Sequence, residues 1–190
     1  MSSQREPDTG LPAFENFYLN VFFKISCAIS SDQSRLTSFE TSYRDIIKVV
    51  DENDLGVLSQ QILIPRLQGI EHSSRNWSVL MVLEHLASVN EAIMEVIRTL
   101  RNESHPFRKV QIADYKPDRN VGAEAIDHFR DVNQRYWSFV KSHQPLKTNL
   151  LWEHPWFGLL DGHQWHCLAD AHQRIHRRQI YKIMAMIGVA

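Results

Sequence analysis

Three histidines carry most of the chemical signal in this 190-residue chain. His172 and His176 stand four residues apart in the run HQRIH. On a helix that spacing stacks the two on one face, with Cβ atoms about 5–6 Å apart. Both imidazoles can then reach one divalent ion at about 2.0–2.1 Å, the usual zinc–nitrogen distance. At about 100° per residue, Trp165, Leu168, Ala169, Ile175, Gln179, Ile183 and Met186 fall within roughly 60° of His172. Arg174, Arg177 and Arg178 fall on the far side. The pair therefore points inward from an apolar stripe. The same construction sets His85 amid Met81, Val82, Val89 and Ala92 on another helix. Buried imidazoles need a hydrogen bond, a carboxylate or a metal. Three from two facing helices supply three ligands and leave positions open for water or substrate. An ion so held lowers the pKa of bound water toward about 7 or takes up a thiol as thiolate. Three imidazoles suit zinc, nickel or iron better than magnesium or calcium.

Rival readings are weaker. A lone inward histidine is commonly just a satisfied core residue. An ion-free bundle in which the imidazoles bond one another or water is also consistent with the pattern. A structural metal would call for a fourth protein ligand, for which His154 is a candidate. His163, His166 and Cys167 are close in sequence, but the helical wheel turns them away from His172 and the core stripe. That orientation argues against a second metal site and against a Cys–His catalytic pair. The pattern HExxH is missing, because positions 173 and 174 are Gln and Arg. A general base must therefore come from elsewhere, such as Glu153, His154 or Asp161. His72, His105 and His143 lie in connectors and read as solvated. Trp152, Trp156, Phe157 and Trp165 read as core or pocket lining.

The elements that must position these residues are helices. Residues 1–12 read as a disordered lead-in, and residues 13–190 as a single domain. Phe14, Phe17, Val21, Phe22, Ile25 and Ala28 recur at helical spacing, and Ser30, Ser31 and Asp32 break that helix and cap the next. Leu36, Phe39, Tyr43, Ile46 and Val50 form one apolar stripe ending near Asn53, Asp54 and Gly56. A connector over 57–75 holds a short helix at Val57–Ile62. A long helix runs from Asn76 or Ser78 to Arg101, and another from Gly122 to Lys141. The 19-residue crossover between them, 102–120, is long enough to traverse the bundle and does not suit a simple up-down-up-down order. A loop over 143–160 precedes the last helix. That helix is capped by Asp161 with Gln164 as capping-box partner and ends near Ile187.

Composition sets the outer bounds. Twenty-one Lys and Arg against 22 Asp and Glu leave a formal charge of −1, which excludes a strongly basic nucleic-acid module. No Gly-rich phosphate loop is present. Two cysteines, Cys27 and Cys167, cannot build a disulfide framework. The Phe14–Ile29 stretch is interrupted by Glu15, Asn16, Asn20 and Lys24, too polar for a membrane span. The start MSSQREPDTG is unlike a signal peptide. The expectation is a cytoplasmic protein with reduced cysteines, no nucleic-acid partner and no membrane association.

Two segments then resemble a known family. WSVLMVLEHLASVN over Trp77–Asn90 and the stretch His154–Ile180, from HPWFGLL to DAHQRIHRRQI, resemble the DinB-like (DinB/YfiT) superfamily of metal-dependent proteins. The resemblance implies an all-α, four-helix bundle of up-down-down-up type, here with an additional N-terminal helix. It implies a divalent metal, zinc or nickel, on His85, His172 and His176, and often a homodimer. It also implies either a hydrolase or a transferase that uses a low-molecular-weight thiol, acting on a small-molecule substrate. The alternative is a non-catalytic metal-binding bundle with a stress-related or interaction role. The N-terminal helix lies outside the matched pattern.

Overall fold

The structure, a computed structural model, describes residues 13–105 and 111–188. The lead-in expected over residues 1–12 lies outside them. The described elements are α1 (Ala13–Ala28), α2 (Asp32–Asp51), the short α3 (Leu55–Leu58), β1 (Ile62–Leu63), β2 (Asn76–Trp77), α4 (Val79–Arg101), α5 (Glu124–His143), β3 (Trp152–His154), β4 (Gly158–Leu160) and α6 (Gly162–Ile187). None of these helices is long and apolar enough to cross a membrane.

Helix starts follow local chemistry. Ser31 and Ser34 form a reciprocal capping box on α2, and the Ser78 side chain accepts from Met81 N–H at the start of α4. Asp161 and Gln164 form the expected box on α6. The short helix begins earlier than its apolar pattern suggests, because Asp54 caps it by accepting from Val57 N–H. It ends at Leu58, and Ile62–Leu63 pairs instead with Asn76–Trp77 as a small antiparallel ladder. The expected loop over 143–160 contains a second ladder, Trp152–His154 against Gly158–Leu160.

Side-chain pairings fix the directions of the four long helices. Asp32 meets His163, Arg35 meets Asp170 and Asp45 meets Arg177, so α2 and α6 run parallel. Phe39 meets Tyr136 and Tyr43 meets Phe129, so α2 and α5 run antiparallel. Glu91 meets Arg135 and Arg98 lies over Phe139, so α4 and α5 run parallel. In chain order α2, α4, α5 and α6 run up, down, down, up. Two parallel consecutive helices require that the chain between them return along the length of the bundle.

The core holds Leu36, Phe39, Leu83, Leu86, Ile97, Phe129, Tyr136 and Trp165, all essentially buried. Each large apolar side chain so buried contributes about 1.5–3 kcal/mol. α6 departs from the one-stripe expectation. His166 and Cys167, expected to face away from the core, are 0% and 1% exposed. They face α1 and α2: His166 Nε2–H donates to the Asp32 carbonyl at 3.1 Å, and Nδ1 accepts from the Tyr136 hydroxyl at 2.9 Å. Packed between α4 on one side and α1 and α2 on the other, α6 buries two faces. Met186, expected in the stripe, is exposed, and Met184 is buried in its place.

Polar side chains set the register of α6. Asn90 on α4 donates to Gln173 Oε1 at 3.2 Å, and Gln173 Nε2 donates to Asn133 Oδ1 on α5 at 2.9 Å. All three are buried. Gln173→Leu keeps the volume but strands the Asn90 donor and the Asn133 acceptor, at about 1–3 kcal/mol for each orphan. The urea midpoint should fall accordingly. A midpoint equal to that of the wild type would show that the amide chain contributes nothing.

Candidate metal centre

α4 supplies His85, and α6 supplies His172 and His176 one turn apart. One nitrogen from each ring lies within 4.8 Å of the others. His85 Nε2 and His172 Nε2 are 3.1 Å apart. The ring centroids are separated by 4.5–4.9 Å. Trp77, at the end of β2 just before α4, stacks on His176 and tilts against His85, closing one side.

Hydrogen bonds set two of the three tautomers. His85 Nδ1–H donates to the Tyr115 carbonyl at 2.6 Å. Gln179 Nε2 donates to the Ser74 carbonyl at 2.7 Å, which turns Gln179 Oε1 toward His176 Nδ1–H, also at 2.7 Å. The Nε2 lone pairs of His85 and His176 are therefore free for another partner. Metal-ligating histidines are held in this way, with the other ring N–H on an oxygen acceptor. The close Nε2–Nε2 approach is met either by neutral His172 donating its Nε2–H to His85 or by a cation held between the two rings. His172 Nδ1 is buried without a partner among the described residues. Ligands about 2.1 Å from a tetrahedral ion lie about 3.4 Å from one another. The donor set and its spacing thus fit a divalent ion.

Burial keeps the imidazoles neutral. His85 is pushed down to about 4 by desolvation, against a smaller opposing effect of the Tyr115 carbonyl. His172 is held well below the ordinary range by burial, then by His176, His85 and His154. His176 is similarly low, by burial and then by His85. At neutral pH none of the three spends a proton before binding an ion.

The cluster forms one end of a cavity of about 140 Å³. Val89, Ile93, Val96 and Leu168 line its apolar length, Trp156 closes part of its wall, and Leu19 from α1 contributes a further side. Glu71, Tyr115, Lys116 and His154 also line it. Lys116 Nζ donates to Ser73 Oγ at 3.1 Å, and Ser73 Oγ donates to Glu71 Oε2 at 3.3 Å. His154 accepts from Trp156 N–H through Nδ1, and burial pushes it down to about 4. Trp165 lines the cavity with its indole N–H buried and unpartnered among the described residues.

The three predicted ligands are thus brought together. Of the three groups suggested as a base, only His154 reaches the cavity. Glu153 is exposed on β3, and Asp161 is committed to capping Gln164 N–H at 2.8 Å. Glu71 and Lys116 escaped the sequence reading because they sit in connectors with no periodicity. The 3₁₀ turns at His72–Ser74 and Ile112–Tyr115 carry the carbonyls that orient the ligands.

No family model matches the chain, and no curated protein matches it. Among solved structures, one described as TT2238, a four-helix bundle protein, is similar at 22% identity and a TM-score of 0.57. The match covers 80% of this chain and 98% of that one. The likeness supports the all-α, four-helix-bundle fold.

The low imidazole pKa values predict the acid limb of stability. An unfolded histidine titrates near 6.5 and folded His85 near 4, so the unfolded chain binds more protons in between. Stability of the metal-free protein is therefore lost as pH falls through that window, by about 3 kcal/mol from His85 alone. Asp32 sits below its usual range and does not titrate there. Denaturation curves in chelator at pH 7, 5.5 and 4 check this. His85→Gln should lose less than the wild type over the same span, and equal losses would refute the assignment.

Proposed function

We propose that the chain is a divalent-metal-dependent enzyme of the DinB-like type, with zinc or nickel held by His85, His172 and His176. The observation that carries this reading is that three neutral imidazoles converge at the end of an apolar cavity, two with Nδ1–H already committed to oxygen acceptors. Such a site has three protein ligands and a cavity on its open side, the arrangement of catalytic rather than structural zinc. The ion would act as a Lewis acid and lower the pKa of a coordinated water or thiol.

The chain's own residues define what it accepts. Leu19, Val89, Val96 and Leu168 would hold an apolar body away from water. The Trp165 N–H offers a donor. Glu71 and Lys116 offer an opposed pair of charges for a polar head near the histidines. The substrate class is a small molecule with an apolar body and one polar, metal-seeking end. The reaction is hydrolysis or transfer of a low-molecular-weight thiol. With Cys167 on the opposite face of α6, a reacting thiol must come with the substrate. The reading includes a cytoplasmic protein and a homodimer, the latter supported by the apolar face of α1, where Phe17, Val21, Phe22 and Ile25 are exposed.

The non-catalytic alternative needs a fourth protein ligand to close the site. His154 shares the cavity but lies outside the cluster of three, and its Nδ1 is occupied by Trp156 N–H, which favours the enzyme.

Elemental analysis of untagged protein tests the site directly. The expected result is about one divalent ion per chain, lost in the His172→Ala, His176→Ala double variant. No ion in the wild type, even after reconstitution with zinc or nickel, would end the metalloenzyme reading. Gln179→Leu should keep the ion but weaken its affinity about 10–100-fold, because His176 loses its orienting acceptor. Competition with a chromogenic chelator measures this, and unchanged affinity would remove Gln179 from the site. A metal-loaded protein inert toward thiol-transfer and hydrolase substrates would favour the non-catalytic alternative.

A further inference from the structure

A second cluster occupies the opposite face of α6. Cys27 at the end of α1 and Cys167 on α6 are both buried, and His163 and Ser30 each contact both of them. His163, one turn before Cys167, places Nε2 3.5 Å from the Cys167 sulfur and 3.1 Å from the Cys27 carbonyl. Its Nδ1–H donates to Asp32 Oδ1 at 2.6 Å. Ser30 Oγ lies 3.8 Å from the same sulfur and receives Arg35 Nε–H at 2.9 Å. Aspartate, imidazole and thiol thus follow one another in hydrogen-bonding order, and a second buried cysteine shares the same His163 and Ser30. This is more than a packed cysteine needs, and the metal centre uses none of these groups.

The charges agree with the geometry. Asp32 raises His163 to about 10, so that the ring is an imidazolium at neutral pH. Cys167 is brought down to about 5, first by the hydrogen bond with Cys27 and then by His163 against the cost of burial. Cys27 is pushed up by the same bond with Cys167 and by its burial, and so keeps its proton. With the imidazolium nitrogen 3.5 Å from its sulfur, Cys167 is the thiol favoured as thiolate, and Cys27 is the one that keeps its proton. The cluster meets solvent through the side chains of His163 and Asp32, which keep 17% and 12% of their surfaces exposed, while both sulfurs lie beneath them.

We propose that Cys27 and Cys167 form a peroxide-reactive dithiol, with Cys167 as the attacking sulfur, His163 as its acid–base partner and Cys27 as the resolving thiol. The Cys167 thiolate attacks one oxygen of hydrogen peroxide and the O–O bond breaks. The departing hydroxide takes the proton of the His163 imidazolium and leaves as water, and Cys167 becomes a sulfenic acid. The Cys27 sulfur then attacks the Cys167 sulfur. The S–O bond breaks, and the leaving hydroxide takes the Cys27 proton by way of neutral His163. Two thiols lose two electrons, one peroxide gains them, and two waters form. The disulfide ties α1 to α6. It fixes the helix whose Leu19 walls the cavity and whose Asn20 donates to the Trp156 carbonyl at 2.9 Å.

The test treats the folded full-length chain with one to ten equivalents of hydrogen peroxide, then blocks free thiols and maps peptides without reductant. The wild type should yield an intrachain Cys27–Cys167 peptide pair. Cys27→Ser should stop at a Cys167 sulfenic acid trapped by dimedone. Cys167→Ser should leave Cys27 alkylatable. His163→Gln should slow disulfide formation at least tenfold, and an unchanged rate would overturn its assigned part. Full alkylation of both cysteines in the peroxide-treated wild type would overturn the proposal, whatever the variants do. The readout is a covalent bond, so it does not depend on whether the histidine cluster holds a metal.

Discussion

The fold depends on how α6 can be buried. It carries His166, Asp170, Gln173, His176 and Gln179 at buried positions on several sides. A helix with polar groups in its interior faces has few acceptable placements, because each group must find a partner or leave a costly orphan. Tyr136 and the Asp32 carbonyl satisfy His166. Arg35 meets Asp170 at 2.9 Å, and Asn90 and Asn133 take Gln173. The Ser74 carbonyl holds Gln179. These partners come from α2, α4, α5 and a connector. They fix both the rotation of α6 and its position along the bundle axis. His172 and His176 then meet His85 as a consequence of that placement.

This explains which parts could be read from sequence. Helix periodicity and the Ser31, Ser78 and Asp161 caps are local, so the helices and most of their ends were legible. The three converging histidines were legible for the same reason, since each sits in an apolar stripe of its own helix. A one-stripe reading of α6 failed for His166 and Cys167 because a helix packed on two sides buries residues on both. No wheel can say which second side will be covered. That information lies in α1 and α2, far away in sequence.

What remained hidden came from connectors. The Tyr115 and Ser74 carbonyls orient His85 and His176 through backbone atoms, and backbone acceptors leave no trace in residue type. Glu71 and Lys116 reach the cavity from irregular segments whose path follows from packing rather than from pattern. Asp32 was legible as a polar residue at a helix start. Its bond to His163 was not, because that pairing joins the beginnings of two helices that sequence alone does not place side by side.

The two clusters on α6 differ in a way that burial accounts for. On the α4 face, desolvation acts without a compensating carboxylate in the cluster, so the imidazoles stay neutral and retain lone pairs. On the α2 face, Asp32 stands against His163, so the same ring type becomes a cation and favours a neighbouring thiolate. One helix therefore presents histidine as an electron-pair donor on one side and as a proton donor on the other. The difference is set by a single aspartate at the first turn of α2. α1 touches both environments, with Leu19 at the cavity and Cys27 at the dithiol. A covalent change at Cys27 would therefore act on the end of the helix that also walls the histidine site.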